Sequence, residues 1–517
     1  MNLKAIGTTC LLTASVFALQ AQIIDDVLRF SQSGVGATAR FKAMGNAQTA
    51  LGGDLSSLSG NPAGLGFFNQ SDIGITLDYF SDTNKATYFG TTTNGSVNRA
   101  GLSQAGVVFH IPTLRARGSN LESGWLNFNL GAGYNRTNSF RSNLDFTGTN
   151  TQSSYTNAMA DDANFGHYGG YLGDFGYIDL ALVDGDGAAG NYFPFAFDNE
   201  TYQEHFSTAK GNQWETSISF GANNSNRFYI GGALSFTGFN YEINRDFIEL
   251  GYTKTEDEVR ALHPGSEFLD PQSDLNLLLD TDYDLKYVSS QINRGRGVNG
   301  KLGMIFRPDP AFRIGLSGTT PTWYSVTHDV LEYADSWFVD PSTNQEIASY
   351  GTPEGEGEFH HEYNLRTPYR LNAGLAYIFG DGLVSGDVEF VDYKSMQYTY
   401  EQDRSHETSI NNSISEVYRS ALNYRLGAEY RIAPDVLLRA GYNYNSSPYQ
   451  SSLGDRSSQV VSAGLGYRIS NVYIDFTYQN ASLKSNYEPY ALETKTPPAT
   501  AFTNTRNNVL LTIGAKF

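Results

Sequence analysis

Cysteine is nearly absent from this chain. Its one cysteine, Cys10, lies within the first 21 residues, which resemble a removable leader (below). The remainder would hold no disulfide framework, no thiolate metal site and no cysteine nucleophile. This absence excludes a disulfide-stapled scaffold and a thiol enzyme.

Long apolar runs and basic charge are also scarce. No segment after residue 21 approaches eighteen consecutive apolar residues, which excludes a helical membrane protein. The formal net charge is -19, which argues against a nucleic-acid partner. The acidic residues fall mainly in predicted loops, where they fit a solvated external surface; a cation bridge to lipopolysaccharide or a calcium site is the alternative. Asp184 and Asp186 lack the spacing of an EF-hand, so no metal site is assigned.

The first 21 residues have the pattern of a secretory signal peptide. Lys4 supplies the positive charge, the stretch from Ile6 to Ala18 is mostly apolar, and small residues approach a cut after Ala21. The sequence therefore predicts an exported protein with a signal peptide over residues 1–21.

The last eleven residues, from Asn507 to Phe517, alternate strictly. One face carries Val509, Leu511 and Ile513, whereas the other includes Thr512 and Gly514. About ten alternating residues are what a tilted strand needs to cross an outer membrane, with one face in lipid and one in the lumen. The 53 Gly, 34 Tyr and 32 Phe suit such strands, because aromatic girdles mark the two membrane interfaces.

Alternating runs bounded by turn residues predict about fourteen strands. The connections alternate between short and long, as in outer-membrane barrels with short periplasmic turns and long external loops. We therefore predict an all-β fold, a transmembrane antiparallel β-barrel of about 14 strands over residues 71–517. The predicted strands are Asp72 to Phe80, Gln104 to Ile111, Trp125 to Asn135, Trp214 to Ala222, Arg227 to Asn240, Gly297 to Phe306, Phe312 to Val326, Pro368 to Phe379, Leu383 to Met396, Ser420 to Ile432, Val436 to Asn445, Gln459 to Ile469, Val472 to Asn480 and the terminal strand.

Residues 22–70 do not alternate. They could form a disordered leader or a compact plug, and the regular recurrence of apolar residues favours the plug. A fourteen-strand lumen is also too wide for its own side chains to fill. We call residues 22–70 the hatch segment.

Several motifs of the hatch segment carry a family resemblance. Phe30-Ser31-x-Ser33-Gly34-x-Gly36, Gly45-Asn46-Ala47, Asp54 and Ser59-x-Asn61-Pro62-Ala63 precede the first strand in that order. This pattern resembles the amino-terminal hatch of the FadL-like outer-membrane transporters of hydrophobic compounds. The resemblance covers nearly all of the chain after the signal peptide.

The resemblance implies a monomeric, multi-pass barrel in the Gram-negative outer membrane, in contact with lipid and lipopolysaccharide and without cofactors. Such proteins take up long-chain fatty acids or aromatic compounds passively, through an apolar lumen, a hatch rearrangement and lateral release into the membrane. The ligand-path and hatch residues that it implies are Phe30, Ser33, Gly34, Gly36, Phe41, Met44, Asn61, Pro62 and Ala63.

Two further sites are predicted with alternatives. Gly131 and Gly133 in the third strand could form a lateral gate, or could make room for the hatch segment against the wall. An apolar stretch in the loop from about Thr137 to Asn212 could form an external ligand groove, or the self-packed core of the loop. The candidate groove residues are Tyr168, Tyr171, Phe175, Tyr177, Phe193 and Phe195.

Charged and titratable residues complete the predictions. Arg29, Arg40 and Lys42 are candidates for neutralising an anionic ligand. The adjacent His360 and His361 are interpreted as a surface pair rather than haem ligands. We expect no enzymatic activity, because no loop offers a distinctive catalytic arrangement. The alternative function is a plugged barrel that serves as a docking or shuttle component in protein secretion or surface assembly.

Overall fold

A computed structural model describes residues 17–34, 36–114, 120, 122–164, 175–186, 191–197, 200–353 and 357–517. No helix within these ranges is long and apolar enough to cross a membrane. The helices are α1 (Phe17–Ser31), α2 (Ala39–Ala43), α3 (Tyr155–Asn164), α4 (Glu256–Leu262) and α5 (Arg404–Val417). Short 3-10 turns cover Leu55–Leu58, Pro62–Phe67, Glu267–Leu269, Asp274–Leu278, Tyr393–Ser395 and Ser451–Leu453, and a π-turn covers Phe175–Asp179.

The described residues form mostly antiparallel strands. The first half of the chain contributes β1 (Asp72–Tyr88), β2 (Thr91–Pro112), β3 (Trp125–Ser139), β4 (Ser142–Asn150), β5 (Val183–Asp186), β6 (Asn191–Pro194), β7 (Thr201–Asn224) and β8 (Phe228–Tyr252). The middle contributes β9 (Asp282–Phe306), β10 (Phe312–Thr319), β11 (Trp323–Val339), β12 (Glu346–Gly351), β13 (Glu358–Arg366), β14 (Arg370–Phe379), β15 (Gly382–Asp392) and β16 (Gln397–Thr399). The last part contributes β17 (Ser420–Ala433), β18 (Val436–Asn445), β19 (Ser458–Ile469), β20 (Val472–Tyr487) and β21 (Thr500–Lys516).

The strands close into a barrel, because β1 pairs with both β2 and β21. Several consecutive strands share one wall position: β3 with β4, β10 with β11, β15 with β16, and the three strands β12, β13 and β14 with one another. The wall therefore has fourteen positions, and the predicted all-β barrel of about fourteen strands is confirmed. The β5–β6 hairpin forms a separate small sheet.

Alternation in the wall strands separates a lipid-facing side from a lumenal side. In β1, Ile73, Ile75, Leu77 and Tyr79 are between 44% and 51% exposed on the outside of the barrel. The intervening side chains, such as that of Thr76, are buried inside. This is the two-residue period that a strand between lipid and lumen requires.

Several strands extend much further than the sequence predicts. β1 and β2 continue through the expected loop and meet at a two-residue turn, Phe89-Gly90, where φ is positive at both residues. Residues 81–103, rich in Ser, Thr and Asn, therefore form a paired ribbon. Outside the bilayer neither face needs to be apolar, so the hydrophobic alternation that reveals a strand disappears although the backbone pairing continues.

Candidate functional site in the barrel lumen

The hatch segment is held inside the barrel by inward-facing wall side chains. The Asp387 carboxylate on β15 accepts hydrogen bonds from the backbone N–H groups of Gln48 and Thr49, both at 2.8 Å. The Ser462 hydroxyl on β19 donates to the carbonyl of Ala43 at 2.9 Å. On another part of the wall, the Ser219 hydroxyl of β7 donates to the carbonyl of Leu58 at 3.0 Å. The segment is thus anchored to well-separated parts of the wall, which places it across the lumen.

The Asn61-Pro62-Ala63 motif forms one of the closest contacts between hatch segment and wall. The Asn61 side chain accepts a hydrogen bond from the backbone N–H of Ala63 at 3.1 Å and donates to the carbonyl of Thr49 at 2.7 Å. A Cβ atom on Gly231 of the wall would lie 2.3 Å from the carbonyl carbon of Pro62. The motif, which was predicted to lie on the ligand path, therefore packs tightly against the barrel wall. Asn61 caps the start of the 3-10 turn Pro62–Phe67.

The two glycines predicted as a lateral gate face the Leu58 side chain. A Cβ atom on Gly131 or Gly133 would lie 2.6 Å or 2.8 Å from it. The β3 ladder continues through both positions to β2 and β7, with register shifts only near Trp125 and Arg136. This geometry favours the interpretation that the glycines make room for the hatch segment, while a gate at this place stays a prediction.

Four other predicted hatch residues also lie against the wall or within the hatch segment. Phe41 and Met44 are fully buried, and they pack in one cluster with Ala376 of the wall. Gly34 donates its N–H to the carbonyl of Thr137 at 2.9 Å. Gly36 lies so close to Asn135 that a Cβ atom would be 2.4 Å from it.

Helix α1 covers an apolar part of the lumenal wall. The Phe30 ring stacks on Phe239 of β8, with ring centroids 4.0 Å apart, and meets Phe140 edge-on at 5.9 Å. Ile410 and Ile414 of α5 join the same buried cluster from above. The wall side chains in this cluster include Phe140, Phe239, Tyr241, Ile243, Tyr324, Val326, Tyr363, Leu365 and Val391.

The polar side of α1 is also buried. The Asp26 carboxylate is fully buried, where it accepts hydrogen bonds from Gln291 and Asn293 and pairs with Arg29. Burial raises the pKa of Asp26 above its ordinary value, and the Arg29 guanidinium opposes that shift. The same guanidinium lies 4.5 Å from the centre of the Tyr241 ring.

The three basic residues predicted to neutralise an anionic ligand, Arg29, Arg40 and Lys42, differ in their surroundings. Arg29 pairs with Asp26, and the Arg40 guanidinium donates to both oxygens of the Glu429 carboxylate at 3.0 Å and 2.9 Å. Burial lowers the pKa of Lys42 to about 8, with the nearby Arg425 adding to the effect. Arg29 and Arg40 are therefore already neutralised by carboxylates of the protein itself.

A small polar cavity lies between the hatch segment and the wall. It has a volume of about 60 Å³, and Ser33, Gly34 and Asn61 are among its lining residues. Such a volume holds a few water molecules but no fatty acid. Several buried polar atoms in its lining form no hydrogen bond with the described residues: both amide atoms of Gln48, Asn299 Oδ1 and Glu389 Oε1, the last of which lies 3.7 Å from the Arg370 guanidinium.

The predicted external groove falls partly within a self-packed cap of loops. Phe195 is buried in a cluster with residues of α3 and the extracellular ends of several strands, and its ring centre lies 3.9 Å from that of Phe268. Tyr177 is 40% exposed, and Phe193 is half-buried. Tyr168 and Tyr171, and the side chain of Phe175, lie outside the described residues. The groove therefore stays a prediction, and Phe195 belongs to the loop core.

The adjacent histidines point to opposite sides of β13. His360 is exposed and contacts Asp329 at 2.6 Å, whereas the His361 ring faces that of His328 across the strand pair at 5.9 Å. Within the described ranges, no three His, Cys, Asp or Glu side chains are arranged to hold a metal ion.

Some side-chain contacts in the lumen were not predicted from the sequence. The inward aromatic side chains of β8 and β11 and the ion pair between Lys301 and Glu215 lie on strands that were correctly predicted, but their partners come from distant parts of the chain. One local signal was available. Pro321 lies inside the predicted seventh strand, and proline in a wall strand indicates a break in pairing.

Comparisons with known proteins agree with the fold. Residues 302–516 match the sequence model of a family described as outer membrane protein transport protein (OMPP1/FadL/TodX). No curated protein matches the chain. The toluene transporter TodX of P. putida is similar in structure, with a TM-score of 0.50 and 15% identity over 94% of this chain and 99% of that one. A FadL homologue of Pseudomonas aeruginosa has a TM-score of 0.51 and 12% identity over 94% of this chain and 98% of its own.

Proposed function

We propose that this barrel of the Gram-negative outer membrane, whose residues 302–516 match the model of the FadL/TodX family, is a passive channel for small hydrophobic molecules. Long-chain fatty acids and aromatic compounds are the candidate solutes. The family is one of transport proteins rather than enzymes. We further propose that the barrel works as a monomer in contact with lipid and lipopolysaccharide.

The apolar lining beneath α1 carries this proposal. A barrel that passes polar solutes has a polar interior, whereas the lumenal wall here presents Phe239, Tyr324 and Leu365 inward. An apolar solute avoids the cost of crossing water and polar headgroups only if it follows apolar surface. The cluster provides such a surface inside the lumen, where α1 of the hatch segment covers it.

Helix α1 occupies the surface that a hydrophobic solute would need. Val27, Leu28 and Phe30 fill the space against the wall cluster. A solute that replaces them would bury similar apolar area, at roughly 25 cal/mol per Å², so its binding can offset the displacement of α1. We therefore propose that entry of the solute and movement of the hatch segment are coupled.

Uptake into proteoliposomes tests the channel. Labelled oleate and toluene are added outside vesicles that contain the full protein, and internal label is followed over time. The variant Phe239→Gln places an amide in the apolar lining and should lower the flux several-fold. The matched control Ser458→Gln puts the same amide at a lumenal position on β19, where Ser458 contacts Asn445, and should leave the flux unchanged.

Two results would overturn the proposal. Flux equal to that of empty vesicles would exclude a channel for these solutes and would leave the docking function as the better hypothesis. Equal flux through the wild type and Phe239→Gln, with both proteins folded, would exclude the apolar lining as the path.

A further inference from the structure

Two exposed arginines lie on the outside of the barrel where its apolar band ends. Arg296 of β9 and Arg366 of β13 both project outward, and β11 pairs with both of these strands. A groove of about 610 Å³ lies between them. We call it the arginine groove, and its lining includes Arg296, Val298, Trp323, Ser325, Asn364 and Arg366.

The strand register arranges the lining in two rows. In the lower row, Trp323 lies opposite Val298 on one side and Arg366 on the other. In the upper row, Ser325 lies opposite Arg296. Directly opposed residues share one face of a sheet, and with one strand between them the two arginine backbones are roughly 10 Å apart across the sheet. The small Ser325 side chain leaves room between the two guanidinium groups for a bound headgroup.

The lower row marks the upper edge of the lipid-facing band. Leu302, further down β9, is 72% exposed on the outside of the barrel, and Trp323 is 52% exposed. The next outward positions along β11 are polar, Ser325 and Thr327. Tryptophan is typical of the interface between a membrane and water. The arginine groove therefore lies at the level where acyl chains give way to headgroups.

The position along β9 assigns the groove to the outer leaflet. β9 and β10 are joined by the short connection of residues 307–311, and short connections are periplasmic in outer-membrane barrels. Arg296 lies ten residues before Phe306, where β9 ends at that connection. About ten residues are what a tilted strand needs to cross the bilayer, so Arg296 emerges on the external side.

The charges of the two arginines are not neutralised by the protein. Within the described residues, Arg296 has no ion-pair partner, and Arg366 donates a hydrogen bond to the carbonyl of Ser395 at 3.3 Å. Arg294, one row higher on β9, pairs with Asp329 at 3.5 Å. In a chain with a formal net charge of -19, two cations without carboxylate partners at one boundary indicate an anion from outside the chain.

Other strands carry uncharged side chains at this boundary. On β8, the position opposite Arg296 is Gly238. On β20 and β21, Asn480 donates a hydrogen bond to Asn507 at 2.8 Å, and the hydroxyl of Tyr478 donates to the same side chain at 2.7 Å. A general requirement of the interface for polar residues is thus met by asparagine and tyrosine, and it does not account for the two arginines.

We propose that the arginine groove binds a phosphate group of lipopolysaccharide, the phosphate-bearing lipid of the outer leaflet in Gram-negative bacteria. The proposal rests on the lipopolysaccharide contact proposed above and does not depend on the channel. Guanidinium groups donate paired hydrogen bonds to phosphate oxygens. The acyl chains of the lipid lie against Val298 and Trp323, so one molecule satisfies both rows of the groove.

Binding of lipid A, the phosphorylated anchor of lipopolysaccharide, tests the site. The full protein in detergent micelles is titrated with diphosphorylated lipid A, and the bound fraction is read by native mass spectrometry. Arg296→Gln with Arg366→Gln should weaken binding roughly tenfold or more, because charge-assisted hydrogen bonds to phosphate are lost. The matched control, Arg260→Gln with Arg404→Gln, removes the same charge from exposed positions of α4 and α5 and should bind as the wild type.

A charge-conserving variant separates geometry from charge. Arg296→Lys with Arg366→Lys keeps both positive charges but loses the paired donors of arginine, so its affinity should fall between those of the wild type and the glutamine variant. The shift in mobility on heating in detergent gels, measured for every variant, shows that the barrel is folded. Equal affinity of the wild type and the folded glutamine variant would overturn the site.

Three further probes identify the bound group. Lipid A without phosphates should bind the wild type as weakly as diphosphorylated lipid A binds the glutamine variant, and equal binding of the two lipids to the wild type would exclude phosphate recognition. Phosphatidylglycerol that binds as tightly as lipid A would overturn lipopolysaccharide as the occupant. Inorganic phosphate that displaces lipid A at an equal concentration would overturn a lipid as the ligand.

Oleate flux, measured separately, distinguishes this proposal from the channel. A wild type that binds lipid A through the two arginines but shows no oleate flux would contradict the channel and support the arginine groove. A wild type with oleate flux whose lipid A binding is unchanged by the glutamine substitutions would contradict the arginine groove alone.

Discussion

Asp26 places a carboxylate on the buried side of α1, among Arg29, Gln291 and Asn293. Because burial raises its pKa above 3.8, the docked helix binds this proton more tightly than an undocked helix. Docking of α1 is therefore strongest at acid pH. It weakens as the pH rises from about 3.8 through the raised pKa of the docked state.

This pH dependence can be measured as hydrogen-exchange protection of the α1 amides, corrected for intrinsic rates. Protection should fall between acid and neutral pH in the wild type. Asp26→Asn should reduce that fall and strengthen docking at neutral pH by on the order of 1 kcal/mol, and the neighbouring Asp25, whose pKa burial also raises, should account for the part that remains. Asp435→Asn in an exposed turn is the control and should behave as the wild type. A pH dependence as large in Asp26→Asn as in the wild type would show that Asp26 is not the group that titrates.

At the scale of elements, the contact of β3 with the hatch segment distinguishes the two interpretations of Gly133. Gly133→Ala adds a methyl group 2.8 Å from Leu58, which should destabilise docking of the hatch segment by about 1–3 kcal/mol. In the double variant Gly133→Ala with Leu58→Ala the methyl group finds space, so the two effects should not add.

Hydrogen exchange of the hatch amides measures both effects, and oleate flux is recorded in parallel. A coupling of about 0.5–3 kcal/mol between the two substitutions is expected from their contact. If Gly133→Ala lowers the flux and Leu58→Ala does not change that result, Gly133 acts as a gate and the packing interpretation is wrong.

The elements show what the sequence could predict. The terminal strand was correctly predicted because the bilayer requires its residues to alternate: Leu511 and Ile513 face lipid, while Thr512 faces the lumen. This two-residue period is visible in the sequence. The ribbon over residues 81–103 was missed because its buried face carries polar side chains such as Asp82 and Asn84, so apolar and polar residues do not alternate there. Helix α5 was missed as well: within it only Ile410 and Ile414 are buried, too few to give a clear helical period.

The candidate site was less predictable than the fold. Asn61 was identified through its motif, but its neighbours Gly303 and Thr49 depend on how the hatch segment packs. The Lys301–Glu215 pair joins residues 86 positions apart. A single sequence shows the local alternation of apolar residues and the residues typical of turns. Neither pattern determines which inward-facing residues contact each other across the lumen.

At the scale of the whole molecule, we predict that the hatch segment closes the lumen. Removal of residues 22–66 should leave a barrel too wide for its own side chains to fill, so its single-channel conductance in planar bilayers should rise well above that of the wild type. The deletion variant must still show the heat-dependent shift in gel mobility. A folded variant with unchanged conductance would mean that other parts of the chain close the lumen.

The close approach of the hatch segment to wall glycines has a consequence for variation of the sequence. A Cβ atom on Gly303 would lie 1.8 Å from the Asn61 side chain, and one on Gly231 would meet Pro62. Lipid-facing positions such as Leu302, in contrast, need only be apolar. In a library of all single substitutions, the wall glycines that contact the hatch segment should therefore tolerate the fewest replacements. In this barrel, the wall glycines therefore mark the positions where the hatch segment packs against the wall.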